Sequence, residues 1–249
     1  MPTGTIADGA AVVEEILAYG EGILQVRPGL SRCPICDAPA DGAAFFRRHA
    51  IRSRTFWVIV ERVVRNIPCS VTRWKCPCCK RTFTWQPPFA LPHKRYTRPQ
   101  MQERAQEYTA NDAVDYREAV EQDGMPVCHE ATAAEPIPAE LPGTCAAAQQ
   151  KDDGTGRQLS HATLHRWITT LGGLTRTVGR ALVLIRQKGT AVAFFRSLVS
   201  IRIAAGKYRS EGRKELLRMC RVLDRVKVLY EELFSTDLFP MAGTASGWT

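Results

Sequence analysis

The chain has 249 residues, 45% of them hydrophobic, enough for one large core or for two or three small ones. Its 34 Lys and Arg against 25 Asp and Glu give a formal charge of +9, which favours an anionic partner. No apolar run approaches the ~18 residues of a membrane helix. Nine cysteines behind an N terminus without a signal-peptide pattern predict a reducing compartment, cytoplasmic and nucleoid-associated, where thiolates serve a metal in place of disulfides.

Residues 1–30 read as an N-terminal arm. Residues 1–9 are small and polar and predict a disordered tip. Ala10 to Tyr19 predicts a short helix with Val12, Val13, Ile16 and Leu17 on its apolar side, closed by Gly20. Ile23 to Val26 predicts a strand leading through Pro28 and Gly29.

Residues 31–97 carry the strongest pattern in the chain, Cys33-Pro34-Ile35-Cys36 followed at a distance by Cys76-Pro77-Cys78-Cys79. Two such pairs let one tetrahedral Zn²⁺ draw four thiolates from two tight turns, Cys33, Cys36, Cys76 and Cys79. A redox dithiol is a poorer account, because that motif expects one pair at the start of a helix in a βαβ unit. Phe45 and Phe46, Phe56 to Val64, and Val71 to Lys75 read as strands between the pairs, the layout of a zinc ribbon. Cys69 and Cys78 are spare thiols nearby. Cys78 in place of Cys79, and His49, are the alternative ligands; the two-residue spacer favours Cys79.

From residue 44 to 104, fourteen Arg and Lys face two Glu; residues 105–158 hold eleven acids and three bases, and residues 159–249 fifteen bases and six acids. Two basic modules flank an acidic one. An arginine excess on a small ribbon points to a polyanion, with Arg52, Arg54, Arg73, Lys80 and Arg81 as phosphate contacts. Beyond the second pair, Phe83 and Trp85 complete a last strand, and the prolines of residues 86–92 hold the exit extended. Lys94, Arg95 and Arg98 interleave with Tyr96 in a patch suited to lie along phosphates, Lys94 and Arg95 foremost.

The order Cys33-x-x-Cys36, a basic strand after His49, Arg73-Trp74-Lys75-Cys76-x-x-Cys79, Arg81-Thr82-Phe83 and the exit Leu91-Pro92 resembles the zinc-ribbon N terminus of insertion-sequence transposases. It is also similar to uncharacterised transposon-associated proteins that join such a ribbon to a helix-turn-helix. The likeness covers about residues 31–123 and, more loosely, 159–172. It implies that this region recognises the ends of a transposon.

Residues 98–172 predict a helix-turn-helix-like unit interrupted by an acidic loop at 124–158. Arg98 to Tyr108 reads as a helix opened by Pro99; Asp115, with Glu118 three residues on, caps a second from Tyr116 to Gln122, stopped by Gly124. The Pro-, Ala- and acid-rich residues 124–158 read as a flexible insert where a DNA reader has a short turn. Cys128, His129 and Cys145 with His161 and His165 lack any close cysteine pair and make a weak second metal set. Ser160 to Leu171 is the candidate recognition helix. Ser160 caps it, and Leu164, Trp167, Ile168 and Leu171 form one apolar seam. That leaves His161, Thr163, His165 and Arg166 for base edges and phosphates.

Residues 173–249 read as a helical C-terminal unit or dimer interface, with seams at Leu174/Val178/Leu182/Ile185, Val192/Phe195/Leu198/Ile201 and Leu216/Met219/Leu223/Val226/Tyr230/Phe234. Lys207-Tyr208-Arg209 is a further candidate phosphate contact, and the tail after Pro240 reads as frayed except for Trp248. A DNA-cutting transposase needs carboxylates holding two metals on a sheet-based domain, and no such strand pattern follows the ribbon. The expectation is therefore an α+β chain, a β-rich zinc ribbon followed by a mainly helical part. It would act as a non-enzymatic binder of double-stranded DNA from a mobile element, working with a separate transposase or a second copy of itself. A transcriptional regulator and a zinc-ribbon adaptor for protein partners are the alternatives.

Overall fold

The computed structural model describes residues 9–40, 42, 44–130, 157–189, 192–207 and 210–239. Helix α1 (Gly9–Glu21) comes first, and residues 22–25 form a turn where a strand was expected. Strands β1 (Arg47–Val60) and β2 (Val63–Lys75) form one long antiparallel hairpin from Arg47 facing Lys75 to Val60 facing Val63. The turn is Glu61-Arg62, with Glu61 at φ 54°. This divides the β-prone run Phe56–Val64, which the sequence reads as one strand: Glu and Arg are not turn residues, and only the cross-strand pairing imposes the reversal. His49 is the extra residue of a β-bulge between Arg48 and Ala50. Strand β3 (Thr82–Thr84) pairs with β2, with Trp74 opposite Phe83, and completes the ribbon.

Alternate residues of β1 face opposite ways and belong to different cores. Phe56 and Val58 pack with Val12 and Ile16 of α1, Val71 and Phe89. Ile59 and the half-buried Trp57 lie with the helices on the other side. Helix α1 approaches so closely that a Cβ on Gly9 would stand 2.1 Å from the Ile59 carbonyl oxygen, so no larger residue fits there. The exit segment seals the outer edge of β1: Trp57 N–H donates to Arg95 O (2.8 Å), and Thr97 N–H to Trp57 O (3.4 Å).

Helices α2 (Arg98–Ala110), α3 (His161–Gly172), α4 (Thr175–Gln187), α5 (Val192–Val199) and α6 (Glu211–Phe234) form the rest of the molecule. The seam of α3 is buried throughout, at Leu164, Trp167, Ile168 and Leu171, and Ser160 caps it by accepting from Ala162 N–H (3.2 Å). Its last turn lies against α6, where a Cβ on Gly172 would be 2.5 Å from Leu216 O. The C-terminal seams also turn inward at Val178, Ile185, Leu198, Ile201, Leu223, Val226 and Tyr230. At the start of α2 the buried Arg98 is paired with Asp237 and lies over the Phe239 ring (4.1 Å), clasping the end of the described chain.

Helices α2 and α3 pack together with α6 against both, but fifty residues separate them, and the described part of that segment is not the expected helix and coil. The capping box forms as read: Asp115 Oδ1 accepts from Arg117 N–H (2.7 Å) and Glu118 N–H (2.9 Å), while Glu118 Oε2 accepts from Asp115 N–H (3.0 Å). Only a 3₁₀ turn at Glu118–Val120 follows. Asp123 (φ 55°) and Gly124 (φ 69°) then close a two-residue hairpin between β4 (Glu121–Gln122) and β5 (Met125–Pro126). Both central φ values are positive, as in a type I′ turn, so Gly124 reverses a strand instead of ending a helix. Strand β6 (Cys128–His129) runs parallel to β2 at Val63 and Val64, and Cys128 is bridged to Gln158. The ends of the insert are thus part of the sheet. The expectations for residues 1–8, for 131–156 including Cys145, for Tyr208 and Arg209, and for the tail with Trp248 lie outside the described residues. Among the described residues no helix is long and apolar enough to cross a membrane.

Candidate functional site

The two Cys-x-x-Cys segments fold into near copies of one another. Each has proline second, which fixes φ as the chain enters the turn, and each is followed by a residue in the left-handed region, Asp37 (φ 58°) and Lys80 (φ 60°). Asp37 N–H donates to Cys33 O (3.0 Å), and Lys80 N–H to Cys76 O (3.1 Å). Cys33 N–H reaches Ala38 O (2.8 Å), and Cys76 N–H reaches Arg81 O (3.0 Å). Each turn aims backbone N–H groups at its first sulfur, as Ile35 N–H does at Cys33 Sγ (3.4 Å).

The sulfur atoms of Cys33, Cys36, Cys76 and Cys79 all lie within 4.8 Å of one another. Sulfurs around a tetrahedral zinc with ~2.3 Å bonds stand about 3.8 Å apart, and Cys36 Sγ to Cys76 Sγ is 3.9 Å. Burial pushes the Cys33 thiol up to about 12, against the N–H groups of Cys36 and Ile35. Burial also pushes Cys76 up, but the N–H groups of Cys79 and Cys78 and the neighbouring thiols outweigh it and bring that thiol down to about 7. Four thiolates this close repel one another unless a cation lies between them, so the donor set fits a metal ion. The rejected ligands are elsewhere. Cys69 is buried under α1 with its thiol toward Ile16 O (3.7 Å), Cys78 is exposed and outside the cluster, and His49 is exposed on the bulge. Cys128, His129, His161 and His165 of the weak second set form no such group: among the described residues only the four cysteines make a metal-sized cluster.

Trp74, two residues before Cys76, is buried, and the guanidinium groups of Arg27 and Arg48 lie 5.6 and 5.4 Å from the centre of its ring. Arg48 also donates to Leu24 O (2.6 Å), tying the N-terminal arm to the centre. From there the hairpin carries its residues away to a basic groove. Arg47 beside the centre and Trp57 in the groove are ten residues apart, about 33 Å of strand.

The groove is two clefts, of about 860 and 580 Å³, that share Trp57, His93, Lys94 and Arg95. The first runs along β1 past Arg52 and Arg54; the second lies between β1 and the start of α3, past Arg157, Ser160, Thr163 and Arg166. Together they hold six basic side chains and one carboxylate, Glu130. Of the eleven residues singled out in the sequence for nucleic acid, Arg52, Arg54, Lys94, Arg95, Thr163 and Arg166 line this groove. Arg54 is already engaged there, by Gln86 Oε1 (2.6 Å) and the carbonyls of Leu91 (2.9 Å) and Lys94, so it holds the exit segment in place. Arg73 donates to Thr82 Oγ1 (2.8 Å) between β2 and β3, while Lys80 and Arg81 are exposed at the second cysteine turn. His161 is exposed, and His165 turns toward Tyr116 (ring centres 6.3 Å apart); neither lines the clefts. Lys207 is buried, bonded to Val114 O and set over the Tyr108 ring (4.1 Å), so it is a packing residue and not a phosphate contact.

Trp57, His129 and Arg157 line the groove without having been singled out for nucleic acid, His129 figuring only in the weak metal set. Trp57 reads as one more β-former, and the other two lie in the stretch read as coil. Their signal is pairing, which joins residues far apart in the chain: β6 sets His129 against β2, and Arg157 O accepts from His129 N–H (2.9 Å). Burial and then the charge of Arg157 lower the His129 pKa, which favours a neutral imidazole at pH 7. Its Nε2 is 3.1 Å from the Tyr96 hydroxyl, whose pKa burial raises. Comparison with protein-family models, with curated proteins and with solved structures finds no match.

Proposed function

We propose that this chain is a DNA-binding protein of a mobile genetic element, reading transposon-end or operator DNA through a zinc ribbon and helix α3, without a catalytic domain of its own. The observation that carries the reading is the convergence of the hairpin, the ribbon exit and the start of α3 on one groove with six cations and one carboxylate. Folding has brought these cations together against their mutual repulsion, which a phosphate backbone relieves. Zinc suits four thiolates on two short turns, and would hold the ribbon end of the hairpin rigid. Arg52, Lys94 and Arg95 would follow phosphates, while Thr163 and Arg166 on α3 meet base edges in the major groove. The mobile-element assignment follows from the motif order shared with transposase ribbons.

Duplex affinity measured against salt tests the reading. If five or six groove cations meet phosphates, log K falls against log salt with a slope of about −5. A slope near zero would move the assignment to an adaptor for protein partners. Arg166→Ala should weaken sequence preference more than general affinity. Equal loss on every sequence would reassign Arg166 to phosphate.

A further inference from the structure

The two halves of the groove differ in chemistry. The half along Arg52 is polar and open, as a duplex backbone requires. The half beside α3 has an aromatic floor, the half-buried Trp57 packed on the buried Tyr96 and Trp167, within a concavity of about 580 Å³. A nucleotide fits a concavity of that size. The rings are set edge to face, Trp57 to Tyr96 at 5.1 Å and 87°, Tyr96 to Trp167 at 4.8 Å and 69°. His129 locks them from the side, 5.0 Å from Trp57 and bonded to the Tyr96 hydroxyl. Arg95 lies over Trp57 at 5.0 Å. A planar guanidinium on an aromatic ring is a surface on which a base can stack.

A paired duplex gains little from such a floor, because its bases are already stacked and its outward face is phosphate and sugar. An unpaired base offers a free π face and a free Watson–Crick edge. The cleft has partners for both, the Arg95 guanidinium for the face and Gln158 and Glu130 on its walls for the edge. Arg157 stands at the same cleft for the adjoining phosphate. We propose that the cleft between β1 and α3 seats one unpaired nucleotide of the bound strand, its base stacked on the Arg95 guanidinium that covers Trp57 and its phosphate on Arg157. The inference rests on the nucleic-acid reading above and specifies what this half of the groove recognises.

The test uses the full-length, metal-loaded chain and labelled DNA of one sequence in three forms: fully paired, with a single extra unpaired nucleotide inside the duplex, and with a one-nucleotide 3′ overhang. One unpaired form should bind about tenfold tighter than the paired duplex, the gain of roughly one stacked base. Which of the two is preferred distinguishes an extrahelical base from a strand end. Arg157→Ala, at an exposed site, and Trp57→Leu should each bring that form down toward the paired affinity while metal content stays the same. Equal binding of all three forms would overturn the seat and leave duplex binding standing. So would variants that weaken paired and unpaired forms alike. Absence of binding to every form would overturn the DNA reading and the seat together.

Discussion

Where Arg47 faces Lys75, the hairpin's only core is a small cluster of buried side chains, Cys33, Phe46, Trp74 and Cys76. Where Val60 faces Val63, it is pressed between α1 on one face and a 29-residue cluster of buried side chains on the other. The same two strands therefore rely on different physics at their two ends. Four buried side chains do little to offset the entropy of ordering the strands and knuckles around them, so a metal held by the four cysteines would act as the staple of this end. The far end has an ordinary hydrophobic core and needs none. The groove spans this difference: Arg52 stands five residues from Arg47, while Arg166 is fixed by α3. Metal is thus expected to control the geometry of one wall and leave the other intact.

Replacing Cys33 and Cys36 together by Ser should separate the two ends of the hairpin most clearly. A structural zinc contributes on the order of 10 kcal/mol, so the ribbon should unfold and DNA binding be lost while the helical circular dichroism persists. Unchanged binding by a metal-free variant would remove the metal from the account. Leu217→Ala is the reverse experiment, a fully buried α6 side chain whose truncation should cost roughly 2–5 kcal/mol. It should lower the unfolding midpoint and leave metal content unchanged; loss of metal would mean that the two ends fold as one unit. Ser160→Ala removes the cap of α3 at a cost of about 1 kcal/mol, with a fall in affinity as the start of the helix frays at the groove. An unchanged affinity would show that this turn does not contact DNA.

The smallest effect concerns pH. His129 has a lowered pKa in the folded protein, so as pH falls past about 6.5 the unfolded chain takes up its proton first and stability declines until the folded imidazole also protonates. The contribution is present in full above that pH. His129→Phe should flatten this part of the stability profile; an unaltered slope would place the titration elsewhere.

The four-cysteine cluster was legible because both knuckles are local: four residues, a proline and a fixed spacer decide the turn without help from the rest of the chain. Helix α3 was legible for the same reason, with its cap at Ser160 and its seam at regular spacing. The reversal at Glu61-Arg62 was hidden because neither residue favours a turn, and the strands pair against one another to impose it. Gly124 was read as a helix stop, and only the pairing of β4 with β5 makes it half of a turn. The pairing of β6 with β2, which brings His129 into the groove, joins residues some 65 positions apart. Composition described that stretch as coil, and local pattern had no means of placing it on the sheet.

The most direct test of the account is selection of bound duplexes from a random DNA pool, with metal content assayed on the same sample. The account predicts a defined sequence motif at about one zinc per chain, lost when the metal is removed. Zinc-loaded protein that enriches no sequence would contradict it and assign the groove to another polyanion or to a protein partner.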